Sequence, residues 1–373
     1  MATRIGKHAL CPCKSGQKFG DCHGKSPEPF INQIDSIPHD PWFKPSWDAM
    51  VEARVPYDGV KRSFLHDGKR YRFVDDKVFV RKPEETFHEF LFFFLGQVLG
   101  PQWFATQKQL PSQKRHQIFR WYDVVKNFGR SLRAAAVKAH FSSNAPGDVW
   151  DLLTLAHDVF HLVNAGSFNK KIKKRLLNHR DFQGARYELA VAALLTRAGF
   201  KVEPAPFTND KKQPDWRAYD AKTGTKMVAE AKSRHRLGTL HEDGQPDMEK
   251  IQRGDVANLV GQALDQNPGD CAFLVFVDLN VPREQGVPVE QRPWFNDVWQ
   301  DMQSLGTPTS ENPDEFTAVF FTNFWHHWGG TTTATGAEYL HVLSHRPRYT
   351  IPVALEGRLM AAVQNYSFVP GQI

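Results

Sequence analysis

Two groups of residues in this 373-residue chain have the types and spacing for chemistry. The first lies in "CPCKSGQKFGDCHG", residues 11–24. Cys11, Cys13, Cys22 and His23 supply four soft or borderline donors, the number that a closed tetrahedral zinc site takes. Gly16 and Gly20 permit the tight turns that so small a shell imposes. A segment this short cannot hold a core of its own, so the metal would supply its folding energy. Unrelated buried thiols are the plainer alternative, and the crowding of all four donors into one loop speaks against them. The second group is acidic. In "QPDWRAYDAKTGTKMVAEAK", a hairpin turning near Thr223–Gly224, alternation puts Glu230 and Lys232 on one face. Asp215 on the first strand comes opposite residues near Lys232. Upstream, Glu188 is followed by Val191, Ala192 and Leu195 at spacings of three, four and seven, which sets a carboxylate on an apolar helical stripe. Such a group needs a partner or a metal. Hard carboxylate oxygens with water suit magnesium. A magnesium site can activate water and stabilise charge on a phosphate, with the lysine orienting the attacking species. The plainer reading is a surface hairpin with ordinary charges.

These residues need elements to position them. "RSFLHDGKRYRFVDDKVFVRKP" reads as short strands joined by turns at Asp67–Gly68 and Asp75–Asp76. "FLFFFLGQVLG" reads as a buried helix closed by Gly100–Pro101, too short to span a bilayer. The pattern is mostly helical from Glu84 to about Asn178. From Asp181 it changes to "ARYELAVAALLTRAGF" as a helix ended by Gly199, "FKVEPA" as a strand, the hairpin, and "GDVANLVGQALDQNP" as a helix stopped by Pro268. "CAFLVFVDLNV" and "FTAVFFTNFW" are strands buried on both faces. Helix, strands, helix, strand describes an α/β domain with a mixed sheet. Residues 1–27 form the Cys/Gly/Lys module, and Pro27, Pro29, Pro38, Pro41 and Pro45 mark a linker after it. The expected division is 1–27, then 28–170 with the linker, short hairpin and helices, then 171–373 as the α/β domain.

Both groups carry a resemblance. Residues 10–25 resemble the SEC-C motif, C-P-C-x-S-G-x-K-x-x-x-C-H, with Lys14 where that family usually has glycine. This small zinc module ends the bacterial preprotein-translocase motor and is appended to many other bacterial proteins. The resemblance implies structural zinc and docking onto a protein or the ribosome, without catalysis. The second group resembles the PD-(D/E)xK nuclease superfamily, which includes type II restriction enzymes. Pro214–Asp215 stands as its first element, Glu230-Ala231-Lys232 as its second, and Glu188 on the acidic position of its leading helix. The order of elements over roughly residues 181–280 agrees. The resemblance implies a restriction-endonuclease-like fold in which Asp215 and Glu230 bind Mg2+ or Mn2+. Lys232 would position or activate the water. Glu188 would complete the pocket directly or through water, and the Ala231 carbonyl would be a further ligand. Some members of the superfamily keep the fold and lose the chemistry.

Weaker motifs have structural readings beside functional ones. "HDVFH" at 157–161 has the spacing of a metalloprotease helix, but Asp158 stands where glutamate acts and no third ligand follows, so a packed amphipathic helix is expected. "NKKIKKRLLNHR" reads as a solvated face, or as a contact to a phosphate backbone. "FWHHWGG" reads as aromatic packing ahead of base stacking. Arg234, His235 and Arg236 in "KSRHR" are placed to grip a phosphate.

Apolar residues at 41%, charged residues at 24% and a net charge of +6 describe a globular chain compatible with a polyanionic partner. No signal-peptide pattern opens it and Cys271 sits in an apolar strand, so a cytoplasmic protein with reduced thiols and no membrane partner is expected. The leading expectation is a metal-dependent endonuclease, a hydrolase of phosphodiester bonds in DNA rather than RNA, with the zinc module choosing where it acts. A host-defence role suits such a fusion by association. The runner-up is a non-catalytic adaptor on nucleic acid or the ribosome that keeps a nuclease-like fold.

Overall fold

A computed structural model describes residues 2–4, 8–10, 16–18, 63–134, 145–206, 213–240, 244–247, 250–254, 256–284, 286–328 and 338–371. Cys11, Cys13, Cys22, His23 and the proline-rich linker lie outside the described residues.

The first sheet is antiparallel. It comprises β1 (Ala2–Arg4), β2 (Ser63–His66), β3 (Lys69–Val74) and β4 (Lys77–Arg81) in the order β1-β4-β3-β2. Asp67 and Gly68 both adopt left-handed φ, 48° and 65°, the turn a two-residue hairpin requires. Helix α1 (Phe87–Leu99) starts at Thr86 in a full capping box with Glu89 and stops at Gly100, whose φ is 99°. Helices α2 (Pro101–Gln109), α3 (Gln117–Ala134), α4 (Gly147–Asn164) and α5 (Lys170–Leu176) follow. The mostly helical expectation for this stretch therefore agrees with the structure.

Helix α6 (Phe182–Arg197) leads into the second sheet. That sheet holds β5 (Lys201–Pro204), β6 (Trp216–Tyr219), β7 (Lys226–Ser233), β8 (Ala272–Asp278), β9 (Ala318–Asn323) and β10 (Glu338–Leu343), in the order β10-β9-β8-β7-β6-β5. The pairs β7–β8 and β8–β9 are parallel and the others antiparallel, so the sheet is mixed as expected. Helix α7 (Ala257–Leu264) joins β7 to β8, α8 (Pro293–Ser304) joins β8 to β9, and α9 (Val353–Gln364) follows β10.

Alternation along the strands divides the core. Met227, Ala229, Leu274, Phe276 and Phe320 face α4, α6 and α9. Val228, Phe273, Val275, Val319 and Phe321 face α7 and α8. The larger core runs without a break from Val74 and Phe79 through α1 and α4 to the second sheet. The close approach of Gly147 to the segment that follows β9 shows how tightly α4 docks: a Cβ there would stand 2.1 Å from the carbonyl oxygen of His326.

Candidate functional site

Helix α6 is buried at nearly every position. Of its sixteen residues, only Gly184, Glu188 and Arg197 are not buried. Gly184 and Glu188 are four apart and so share one face, which makes Glu188 the acidic group at the single opening of this half of the helix. Beyond it, Asp215 immediately precedes β6, and Trp216↔Ala229 pairing brings Asp215 level with Glu230 on β7. The backbone N–H of Asp215 donates to Glu230 Oε2 (3.1 Å), and the N–H of Ala231 donates to Asp215 Oδ2 (3.0 Å). Each carboxylate thus grips the other's strand.

Glu230 is 2% exposed in the middle of a buried strand. Three donors reach it: the Asp215 N–H, Lys232 Nζ (2.5 Å to Oε1) and Gln266 Nε2 (2.9 Å to Oε1), the last from just beyond α7. A buried carboxylate needs such company. Glu188 is held by the guanidinium of Arg175 on α5, which donates to both its oxygens, with Nη2 2.6 Å from Oε1. Asp215 takes part in no ion pair among the described residues.

The electrostatics follow. Burial, then repulsion from Glu188 and Glu230, pushes the Asp215 carboxyl well above the usual carboxylate range, against the pull of the Ala231 N–H and Lys232. Burial also raises Glu230, with the Lys232 ammonium opposing and Glu188 adding to the shift. With Arg175 set against Glu188 and Lys232 against Glu230, Asp215 is left as a half-buried carboxyl with no ion pair among the described residues, and its surroundings disfavour its ionised form.

A cation between Asp215 and Glu230 would relieve that penalty on their ionised forms. Among the described residues no three His, Cys, Asp or Glu side chains meet as a ready metal cage. Two carboxylates with the remaining positions left to water is the set magnesium tolerates, because it dehydrates reluctantly. Asp215 and Glu230 are the residues that would hold it. Glu188, as it stands, has both oxygens on Arg175.

The structure therefore brings Glu188, Asp215, Glu230, Ala231 and Lys232 into one neighbourhood. Sequence reasoning missed Arg175 and Gln266. Arg175 was visible only as one of several cations in "NKKIKKRLLNHR"; in the same run Lys173 Nζ donates to the Val98 carbonyl (2.7 Å), while Lys170 and Lys174 are exposed. Of the three residues read as able to grip a phosphate, Arg234 and Arg236 are engaged with the chain's own backbone. Arg234 Nη1 donates to the Arg253 carbonyl (2.6 Å) and Arg236 Nε to the Asn280 carbonyl (2.9 Å), so both tie loops together. His235 between them is exposed. In α4, His157 and His161 face each other through their Nε2 atoms (2.9 Å), and Asp158 accepts from Tyr366 Oη (2.5 Å) in the core. That is the packed helix expected. In "FWHHWGG", Trp325 and His326 are buried, Trp325 Nε1 donates to Asp278 Oδ2 (2.8 Å), and the Arg186 guanidinium lies 3.5 Å from the Trp325 ring centre. These rings pack.

A model of the SEC-C motif family matches residues 9–25. The chain carries that motif. The match includes Cys11, Cys13, Cys22 and His23. No curated protein and no solved structure matches the chain. Among the described residues no helix is long and apolar enough to cross a membrane.

Proposed function

We propose that the chain is a divalent-metal-dependent nuclease of PD-(D/E)xK type, hydrolysing phosphodiester bonds in DNA rather than RNA, with the SEC-C motif as a zinc-bound docking module for a protein or ribosome partner. One observation carries the reading: Asp215 is a half-buried carboxyl with no ion pair among the described residues, locked across the strands to Glu230 beside Lys232. Helix α6, the antiparallel strands β5-β6-β7, helix α7 and the parallel strand β8 also follow the order of a restriction-endonuclease-like core. A metal held by Asp215 and Glu230 would supply a water of lowered pKa and neutralise charge on the phosphate. The chain's own residues do the rest. The Asp215–Glu230 cross-strand bonds fix both carboxylates before substrate arrives. Lys232, on Glu230, presents an ammonium where the attacking oxygen or the phosphate must sit. A cytoplasmic setting keeps the SEC-C thiols reduced for zinc.

The pairing of both Glu188 oxygens to Arg175 favours a second reading, an adaptor that keeps the fold and binds nucleic acid without cutting it. Incubation with mixed DNA and RNA in Mg2+ or Mn2+ separates the two. Cleavage by the wild-type chain and its loss by at least about 100-fold in folded Asp215→Ala is the expected result. Lys232→Ala should lose cleavage too and bind nucleic acid slightly more weakly, with a smaller salt slope. Wild-type rates in Asp215→Ala would exclude this site, and an inactive wild type would leave the adaptor.

A further inference from the structure

Arg175 has no part in the chemistry above, yet it holds one of the pocket's three carboxylates. We propose that Arg175 is a positioning residue of the acidic pocket: it competes with a divalent cation for Glu188 and so sets how tightly the pocket binds one. This rests on Asp215 and Glu230 being the cation's ligands. Arg175 donates from Nη1 to Glu188 Oε2 and from Nη2 to Oε1 (2.6 Å). A two-pronged guanidinium–carboxylate pair fixes the carboxylate's plane as well as its place. With a guanidinium donor on each oxygen and its positive charge alongside, Glu188 is a weaker ligand for a second cation, which accords with the lack of a three-carboxylate cage among the described residues.

The pair is also built to open. Arg175 keeps 36% of its side chain exposed against 17% for Glu188, so the arginine can return to water at a modest cost. It comes from α5, a separate helix on which Lys171, one turn before Arg175 on the same face, is exposed, so a phosphate approaching that face meets Arg175 as well. Glu188 shares its face of α6 with a glycine that places no side chain beside it. A Cβ placed on Gly184, one turn earlier, would meet nothing nearer than His235 Nε2 at 3.6 Å, with Glu188 Oε1 at 4.0 Å. The released carboxylate would then join Asp215 and Glu230. Cation and arginine are alternatives for one group, so each weakens the other's hold by the same factor.

The test needs no nuclease activity. Mn2+ affinity is measured by calorimetry on the full, folded chain without nucleic acid. Arg175→Met should bind Mn2+ at least about fivefold more tightly than wild type. Arg175→Lys, which keeps the charge but not the fork, should fall between them and serves if the methionine variant does not fold. Glu188→Gln removes the contested group, so adding Arg175→Met to it should change the affinity by less than about twofold. Unchanged affinity in both Arg175 variants would overturn the proposal. So would an equal gain in the Glu188→Gln background, which would mark a general charge effect. Mn2+ binding that follows this pattern in a chain that cuts nothing would sink the nuclease reading and leave Arg175 with this role. A wild type and variants that all bind no Mn2+ would sink both.

Discussion

Glu230 and Asp158 are both buried carboxyls, and the difference between them shows what one residue's surroundings decide. Glu230 has three donors on it, one of them an ammonium, and two other carboxylates nearby. Asp158 has one donor, the Tyr366 hydroxyl at 2.5 Å, and its Oδ1 has none among the described residues. Burial pushes Asp158 up to about 7, with the Tyr366 bond opposing. A carboxyl raised this far above its unfolded value, about 3.9, holds its proton in the native state while the unfolded chain has lost it. Between about pH 4 and pH 7 the unfolded state therefore binds fewer protons, and stability falls as pH rises. Asp158→Asn cannot ionise and keeps an oxygen to accept from Tyr366. Its melting temperature relative to wild type should climb steadily from pH 4 to pH 7 and level off above. A difference that stays flat across that range would mean Asp158 is ionised in the native core. Buried against Tyr366, Asp158 is shut off from solvent and from any substrate, unlike the exposed general base of a protease helix.

Elements differ in how plainly the sequence announces them. The hairpin at Asp67–Gly68 and the stop of α1 at Gly100–Pro101 carry their turn chemistry in adjacent residues and were legible, while the Thr86–Glu89 capping box at the start of α1 was overlooked. The strands β8 and β9 were legible as apolar runs because both their faces are covered. Strand β10 was not, since all six of its residues are half-buried and no alternation survives to be read. Helix α8 was overlooked although Trp294, Val298 and Met302 mark its buried stripe at helical spacing. At the site, Asp215, Glu230 and Lys232 were legible because a hairpin fixes register over short separations. The Arg175–Glu188 pair was not, because it depends on how α5 packs across α6, which no local pattern encodes. The tight joint at Gly147 was hidden for the same reason: it faces His326, far along the chain. A Cβ at 2.1 Å from a carbonyl oxygen meets backbone on backbone, where neither side can rotate away. Gly147→Ala should therefore cost more than loss of the α1 cap in Thr86→Ala, which is worth about 1 kcal/mol. Urea unfolding of the two variants checks the order. Equal midpoints would show that α4 shifts freely on the sheet.

At the scale of the whole molecule, Ala2–Arg4, ahead of the SEC-C motif, belong to the main body. Strand β1 pairs with β4 through Ala2↔Phe79, Thr3↔Val78 and Arg4↔Lys77. Phe79 in turn packs edge-on against Phe90 and Phe94 of α1, 5.6 Å and 6.0 Å between ring centres. Sequence composition sets residues 1–27 apart as one module, but the pairing of β1 splits two effects that such a module would combine. Removing metal with a chelator leaves β1 in place. Deleting residues 1–27 takes β1 away and strips β4 of a partner, leaving a free edge on which Val80 is already half exposed. An unpaired edge with apolar side chains is a template for another chain's strand. The chelated full chain should therefore keep the main unfolding transition at its original temperature and stay monodisperse in light scattering. The truncated chain should self-associate, and its main transition should move down. Equal behaviour of the two would assign β1 no part in holding the sheet, and loss of the main transition on chelation alone would mean that the zinc supports the core itself.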